Sequence, residues 1–321
     1  MKILLIPGLT LLGFSDEHVA RIRDAAGPEA DVIVTTPTEA LKHAADAEVI
    51  LGSVPLELFR AAPKLRWAQA TSSGVDSFLY PEFRDSHVIL TSEKGLVGEH
   101  LADHGFGLLL MLTRQLATAF KLGPEAWDHR PDMRRQEVEL SGLTMGIIGF
   151  GGTGRAMARR AHAFGMICQA MDRDAVPNSP EVSEVKRPAF FHELLATSDV
   201  VSICCPLTPE TRGLFNREAF AHMRPTAFLI NVTRGEIVVE DDLVTALREE
   251  KIRAAGLDVV PREPLPPDSA LWDMPNVMMT PHTAGASQYR TGRNIDRFMR
   301  NLKHLHNNEP LEGIINKQLG Y

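Results

Sequence analysis

Residues 144–172 read TMGIIGFGGTGRAMARRAHAFGMICQAMD. An apolar run, MGIIGF, leads into Gly149, Gly151 and Gly154 at the spacing Gly-x-Gly-x-x-Gly; the helix-compatible stretch GRAMARRAHAF follows, and a second apolar run ends on Asp172. The order is strand, glycine turn, helix, strand, acidic residue. In such a turn the first glycine permits the tight bend, the second lets backbone approach a pyrophosphate, and the third lets helix and strand pack closely, with the anion at the helix N-terminus. Gly149, Gly151, Gly152, Thr153 and Gly154 are therefore the predicted cradle of a dinucleotide, and Arg155 is placed to add positive charge beside it. Asp172 stands where a carboxylate accepts hydrogen bonds from the adenosine ribose diol and repels a 2′-phosphate. That favours NAD, while the neighbouring Arg173, whose guanidinium suits such a phosphate, leaves NADP open.

Outward from this unit the same alternation continues in both directions. Upstream stand KILLIP, DVIVTT, EVILGS, LRWAQATSS and HVILTS, and downstream DVVSICCP, AFLINVT, RAAGLDVV and NVMMTP, separated by helix-like stretches. Short β-branched runs alternating with helices predict parallel sheets in an α/β fold, here as two stacked units. A long amphipathic helix from about Val97 to Leu122 divides them, and residues 123–141, with Pro124 and Pro131, read as an irregular surface connection. Beyond His282 the pattern is helical from about Ser287 to His306 and holds no strand, which returns this segment to the first unit. The predicted domains are 1–99 with 287–321, and 100–286.

The length of 321 residues fits two domains at about 150 residues each. With 44% hydrophobic and 23% charged residues the chain has an ordinary globular composition, which excludes a disordered or collagen-like protein. Lys and Arg total 34 against 41 Asp and Glu, a net charge of −7, and no basic stripe suited to nucleic acid stands out. Apolar runs are shorter than the roughly 18 residues of a membrane span, and MKILLIPG is followed by no small-residue cleavage site, so a cytoplasmic protein is expected. The three cysteines, Cys168, Cys204 and Cys205, read as reduced core thiols, and no metal-ligand spacing is present.

Four further blocks, PLTPETRGLFN (206–216), MRPTAFLINVTRGEIV (223–238), AGLDVVPREPLP (255–266) and NVMMTPHTAGAS (276–287), follow the fingerprint. In order and spacing they resemble the D-isomer-specific 2-hydroxyacid dehydrogenases. The resemblance covers nearly the whole chain and is tightest from Gly149 to Ala286. It implies two Rossmann-like domains, one flavodoxin-like and substrate-binding and one dinucleotide-binding, with parallel sheets, an active site in the interdomain cleft, and a homodimer formed through the cofactor domains. The implied activity is hydride transfer between NAD(H) and a small 2-oxo or 2-hydroxy acid, with neither nucleic acid nor membrane as partner.

Arg234 in NVTRG resembles the arginine that holds substrate carboxylate and carbonyl, Glu263 in PREP the carboxylate paired with the catalytic histidine, and His282 in TPHTAG that histidine. The residue types suit the chemistry independently. Reducing a 2-oxo acid puts a proton on oxygen, which an imidazole held by a carboxylate can supply near neutral pH. A guanidinium stays charged and can grip a carboxylate with a planar fork. Asp258 resembles the aspartate near the nicotinamide carboxamide, and Cys204, Pro206, Thr211, Thr233, His282 and Ala284 match positions bordering the cofactor. Relatives often have histidine at the position of Cys204.

Ser72, Ser73 and Gly74 in TSSGVD match the loop whose N–H groups receive the substrate carboxylate, with the two serine hydroxyls as further donors. Gly98, where alanine is usual, is expected to loosen the start of the long helix, and Glu99 there has structural and functional readings of equal weight. Lys94 reads as a solvated lysine with a second reading as an anion contact, Arg114 as exposed or dimer-facing, and Trp127 as an interface residue. Two rival functions fit the same residues: a dinucleotide-sensing corepressor or scaffold, and a phosphite-type dehydrogenase.

Overall fold

The computed structural model describes residues 1–321. Its chain divides into two compact units, Met1–Val97 with Ala286–Tyr321, and Gly98–Gly285.

The first unit is built on β1 (Lys2–Leu5), β2 (Asp31–Val34), β3 (Val49–Leu51), β4 (Trp67–Gln69) and β5 (Ile89–Thr91), all parallel in the order β2-β1-β3-β4-β5. Successive side chains of a strand point to opposite faces. Leu4, Ile50, Ala68 and Leu90 therefore enter one core with Leu58 and Phe83, while Ile3, Leu5, Val49, Leu51 and Trp67 enter another with Ile22. The second face is closed by the helix Arg290–His306, whose Phe298 stacks on Trp67 with ring centroids 4.9 Å apart. That helix starts three residues later than the pattern suggested.

The second unit holds β6 (Thr144–Ile148), β7 (Ile167–Met171), β8 (Val185–Lys186), β9 (Val200–Ile203), β10 (Phe228–Asn231), β11 (Ala254–Leu257) and β12 (Val277–Met279). All pairs are parallel, in the order β12-β11-β10-β9-β6-β7-β8. Two cores again cover the two faces, Ile148, Val201, Leu229 and Leu257 on one side and Ile147, Val200, Phe228 and Ile230 on the other. Strand order reverses at β6, with β7 on one flank and β9 on the other, so a crevice opens at the carboxyl ends of β6 and β9. The two-residue edge strand β8 carries no periodicity and was not expected.

Three expectations need correction. The helix foreseen over Val97–Leu122 is two helices, Gly98–Thr113 and Leu116–Leu122. It breaks because Val138 N–H takes the Thr113 carbonyl at 2.8 Å and Gln115 turns to φ 52°. Residues 123–141 are not irregular throughout: they form a 3-10 turn at Gly123–Trp127 and a helix at Arg130–Gln136. Pro124 and Pro131 sit in the first turns, where a missing N–H costs no helical bond.

Gly98 is a contact point rather than a loosened end. A Cβ there would lie 2.5 Å from the Gly152 carbonyl oxygen, so glycine lets the helix Gly98–Thr113 close onto the start of the helix Gly152–Ala163. Glu99 closes the same seam by pairing with Arg159 and Arg160, and Asp103 pairs with Arg160 at 2.7 Å. Burial alone would raise the Glu99 carboxyl, but the Arg160 hydrogen bond and the two guanidinium charges hold it below its ordinary value. This supports the structural reading of Glu99.

Candidate active site

Every functional position predicted for the second unit falls at the carboxyl end of a strand. The glycine turn follows β6, Asp172 follows β7, Cys204–Thr211 follow β9, Thr233 and Arg234 follow β10, Asp258–Glu263 follow β11, and Thr280–Ala284 follow β12.

The glycines divide their work as the spacing requires. Gly149 has φ 91°, and a Cβ there would stand 2.6 Å from the backbone of Cys205. Gly154 is packed more tightly still, with a Cβ position 2.1 Å from the Gly149 carbonyl. Gly151, by contrast, has open space at its Cβ position. It is the N-cap of the helix Gly152–Ala163, which has no side-chain cap and no acidic residue in its first turn. Exposed N–H groups at a positive helix end, with backbone able to approach, fit a pyrophosphate.

Asp172 is fixed at this turn. Its Oδ2 accepts the Phe150 N–H at 2.7 Å and its Oδ1 the Asp174 N–H at 2.9 Å. A carboxylate has about four lone-pair sites, so two remain for a ribose diol. Arg173 lies 3.8 Å from both Asp174 and Glu210, two carboxylates that already engage its charge. Arg155 turns from the expected direction: its guanidinium covers the Phe150 ring at 4.6 Å and donates to the carbonyls of Pro177 and Asn178.

On the β9 loop, Thr211 Oγ1 donates to the Pro206 carbonyl at 2.7 Å and accepts the Thr208 N–H, which sets the shape of the turn. Cys204 contacts the Ser202 hydroxyl at 3.3 Å. Burial pushes the thiols of Cys204 and Cys205 up to about 12, so both are poor nucleophiles.

The β10 loop is organised by Asn231, a fully buried residue that sequence reasoning missed. Its Oδ1 accepts the N–H and hydroxyl of Thr233, and its Nδ2 donates to the Arg234 carbonyl at 2.9 Å. Gly235 allows this loop to lie against the β11 loop, since a Cβ there would be 1.9 Å from the Val260 carbonyl carbon. The only sequence signal was an asparagine ending an apolar strand two residues before threonine.

His282 and Glu263 are brought together. His282 Nδ1 lies 2.7 Å from Glu263 Oε2, and Oε1 of the same carboxylate accepts the Val260 N–H at 3.2 Å. The second ring nitrogen of His282, Nε2, is the one Glu263 does not use. His282 has φ 54°, uncommon outside glycine, and its N–H donates to the Asp258 carbonyl at 2.8 Å. Asp258, 1% exposed, accepts at Oδ1 from Thr283 N–H and the Thr280 hydroxyl, and at Oδ2 from Ala284 N–H. In this structure Asp258 and Ala284 are thus bound to each other.

In the first unit Ser72, Ser73 and Gly74 form the turn after β4. The Ser72 hydroxyl is not a spare donor, because it donates to the Gly74 carbonyl at 2.6 Å. The turn is held from below: Glu93, 1% exposed, donates its N–H to the Ser72 carbonyl and pairs with Arg290 at 2.6 Å. Lys94 stands over the Tyr321 ring at 5.6 Å, and Arg114 pairs with Glu137 at 2.8 Å. Trp127 is 76% exposed.

Known proteins resemble this chain in sequence and in fold. Residues 106–284 match the profile of the D-isomer specific 2-hydroxyacid dehydrogenase NAD binding domain. The chain is 34% identical over 305 residues to the glyoxylate reductase of Korarchaeum cryptofilum, covering 92% of this chain and 89% of that protein. A D-isomer specific 2-hydroxyacid dehydrogenase family protein from Aeromonas salmonicida has a solved structure that superposes with a TM-score of 0.82 at 31% identity, over 98% of this chain and 99% of that one. An NADPH-dependent glyoxylate/hydroxypyruvate reductase from Sinorhizobium meliloti, solved with NADP and sulfate, superposes with a TM-score of 0.81 at 26% identity over 100% of both chains. This chain belongs to the D-isomer-specific 2-hydroxyacid dehydrogenase family and is, with it, a pyridine-nucleotide-dependent oxidoreductase.

Proposed function

We propose that this protein reduces a small 2-oxo acid to its D-2-hydroxy acid, reversibly, with NADH as the preferred donor and NADPH as the alternative. The observation that carries the reading is the His282–Glu263 pair, 2.7 Å apart at the carboxyl edge of the nucleotide-binding sheet. When bound, the dinucleotide supplies the hydride that adds to the carbonyl carbon.

As the carbonyl π bond opens, Nε2 of His282 gives its proton to the oxygen, and in the reverse direction takes it back. Glu263 orients the ring and balances the imidazolium charge. Arg234 grips the substrate carboxylate and polarises the adjacent carbonyl. Backbone N–H groups of Ser72, Ser73 and Gly74 are assigned to the carboxylate by resemblance. Gly149–Gly154 and Asp172 hold pyrophosphate and adenosine ribose, in a nucleotide-binding domain at 100–286; residues 1–99 with 287–321 form the substrate domain.

The reductase names of relatives favour this over a corepressor or phosphite-type enzyme, both of which fit the same residues. A homodimer through the nucleotide domain is supported by Leu116, Phe120 and Trp127, which are 52%, 89% and 76% exposed. No helix is long and apolar enough to cross a membrane, and the three unpaired cysteines support a cytoplasmic location.

The test is loss of nicotinamide absorbance with NADH and with NADPH against glyoxylate, hydroxypyruvate, pyruvate, phenylpyruvate, oxaloacetate and 3-phosphohydroxypyruvate, beside a His282→Ala variant. Turnover that this variant abolishes is expected. Nucleotide binding without turnover of any acid overturns the reading in favour of a sensor.

A further inference from the structure

His104 lies on the helix Gly98–Thr113, and its Nε2 is 2.7 Å from Thr280 Oγ1 and 3.4 Å from Asp258 Oδ1. The helix reaches this position because β11 presents Gly256 beneath it; a Cβ there would lie 2.9 Å from the Leu108 Cβ. His104 therefore sits behind the turn that ends in His282.

The direction of its hydrogen bond follows from proton counting. Thr280 has one hydroxyl hydrogen, and the 2.6 Å contact with Asp258 Oδ1 takes it, because the carboxylate acts as acceptor to every other group around it. The 2.7 Å contact must then run from Nε2–H of His104 to Thr280 Oγ1, with Asp258 Oδ1 as a second, longer acceptor.

What this group supports is specific. Through Oδ1, Oδ2 and its carbonyl, Asp258 takes the N–H groups of Thr283, Ala284 and His282, three consecutive residues. These bonds hold His282 at φ 54°, a conformation that persists only where its surroundings over-determine it. A carboxylate holding only the N–H groups of Thr283 and Ala284 can still swing; one also clamped by Thr280 and His104 has a fixed plane.

We propose that His104 is a positioning residue for the reaction: by donating from Nε2 into the Thr280–Asp258 pair it fixes the turn that aims the His282 imidazole. The inference rests on His282 being the proton donor. Side-chain charge on His104 is not required, only the Nε2–H, so an amide N–H in the same place serves equally.

The experiment compares His104→Leu, His104→Gln and Thr280→Val with wild type, using NADH and an acid that wild type reduces. His104→Leu is expected to lower kcat about tenfold with KM for NADH nearly unchanged, and to raise the solvent deuterium isotope effect as proton transfer becomes slower. His104→Gln restores most of kcat, and Thr280→Val resembles His104→Leu. Wild-type kcat and isotope effect in His104→Leu overturn the proposal, as does equal loss in His104→Leu and His104→Gln, which marks packing alone. If His104→Leu fails to fold, the other two variants decide. A crystal structure of His104→Leu or Thr280→Val reads the turn without activity, and an unmoved His282 backbone also overturns it. Absence of turnover in wild type tells instead against the dehydrogenase reading, while the crystal structure still judges His104.

Discussion

The backbone N–H of Phe150 donates to Asp172 Oδ2 at 2.7 Å, so the acidic residue after β7 is tied to the glycine turn after β6. Asp172→Asn keeps the size but removes the charge that repels a 2′-phosphate and strengthens bonds to a ribose diol. The ratio of kcat/KM for NADPH to that for NADH should rise about tenfold, the scale of one charged hydrogen bond. An unchanged ratio would place nucleotide choice elsewhere, with Arg173 the next residue to vary.

Glu263→Gln leaves a partner for His282 Nδ1 but no negative charge. Reduction should slow by about tenfold to a hundredfold, because a neutral amide holds the ring without balancing the positive charge it carries as proton donor. Steady-state rates check this, and an unchanged kcat would remove Glu263 from the mechanism.

Asn231 acts through the loop it shapes. Asn231→Ala removes acceptor and donor from beneath Thr233 and Arg234. We expect kcat/KM for the 2-oxo acid to fall by about 1–3 kcal/mol in transition-state terms, while the NADH dissociation constant stays near wild type. Equal weakening of both would mean the whole domain has loosened.

Gly98→Ala should destabilise the second unit by about 1–3 kcal/mol in urea unfolding, because its Cβ would meet the Gly152 carbonyl at 2.5 Å. Nucleotide affinity should weaken with it, since Gly152 opens the helix at the glycine turn. An unchanged midpoint would show that the two helices separate without cost.

The thiols of half-buried Cys204 and buried Cys205 are pushed up to about 12 from 9.0. Above pH 9 the unfolded chain loses these protons while the folded chain keeps them, so stability present below pH 9 is lost as pH rises towards 12. The slope is about 1.4 kcal/mol per pH unit for each thiol. Urea midpoints between pH 8 and 10 should fall for wild type and fall less for Cys205→Ala. Slow reaction of both thiols with alkylating reagents in the native state is the companion result.

Much of this was legible along the chain. Alternating apolar runs and helices announce parallel sheets because each strand must bury both faces, and Gly149, Gly151 and Gly154 announce a turn that side chains would obstruct. The break at Gln115 was not legible. It depends on Val138, far along the chain, taking the Thr113 carbonyl. Prolines 124 and 131 misled for a related reason, since they break helix interiors yet are tolerated in first turns.

The sequence by itself determined which residues could do the chemistry: an arginine, a glutamate, a histidine and an acidic residue after a glycine turn, each in a motif of fixed local spacing. Only the tertiary structure decided their partners. Arg155 went to the carbonyls of Pro177 and Asn178, Ser72 to Gly74, and Asp258 to the His282 turn with His104 behind it. The physical reason is that hydrogen bonds form between groups that folding brings within about 3 Å. Strand pairing sets β10, β11 and β12 side by side, whereas along the sequence Glu263 and His282 stand 19 residues apart.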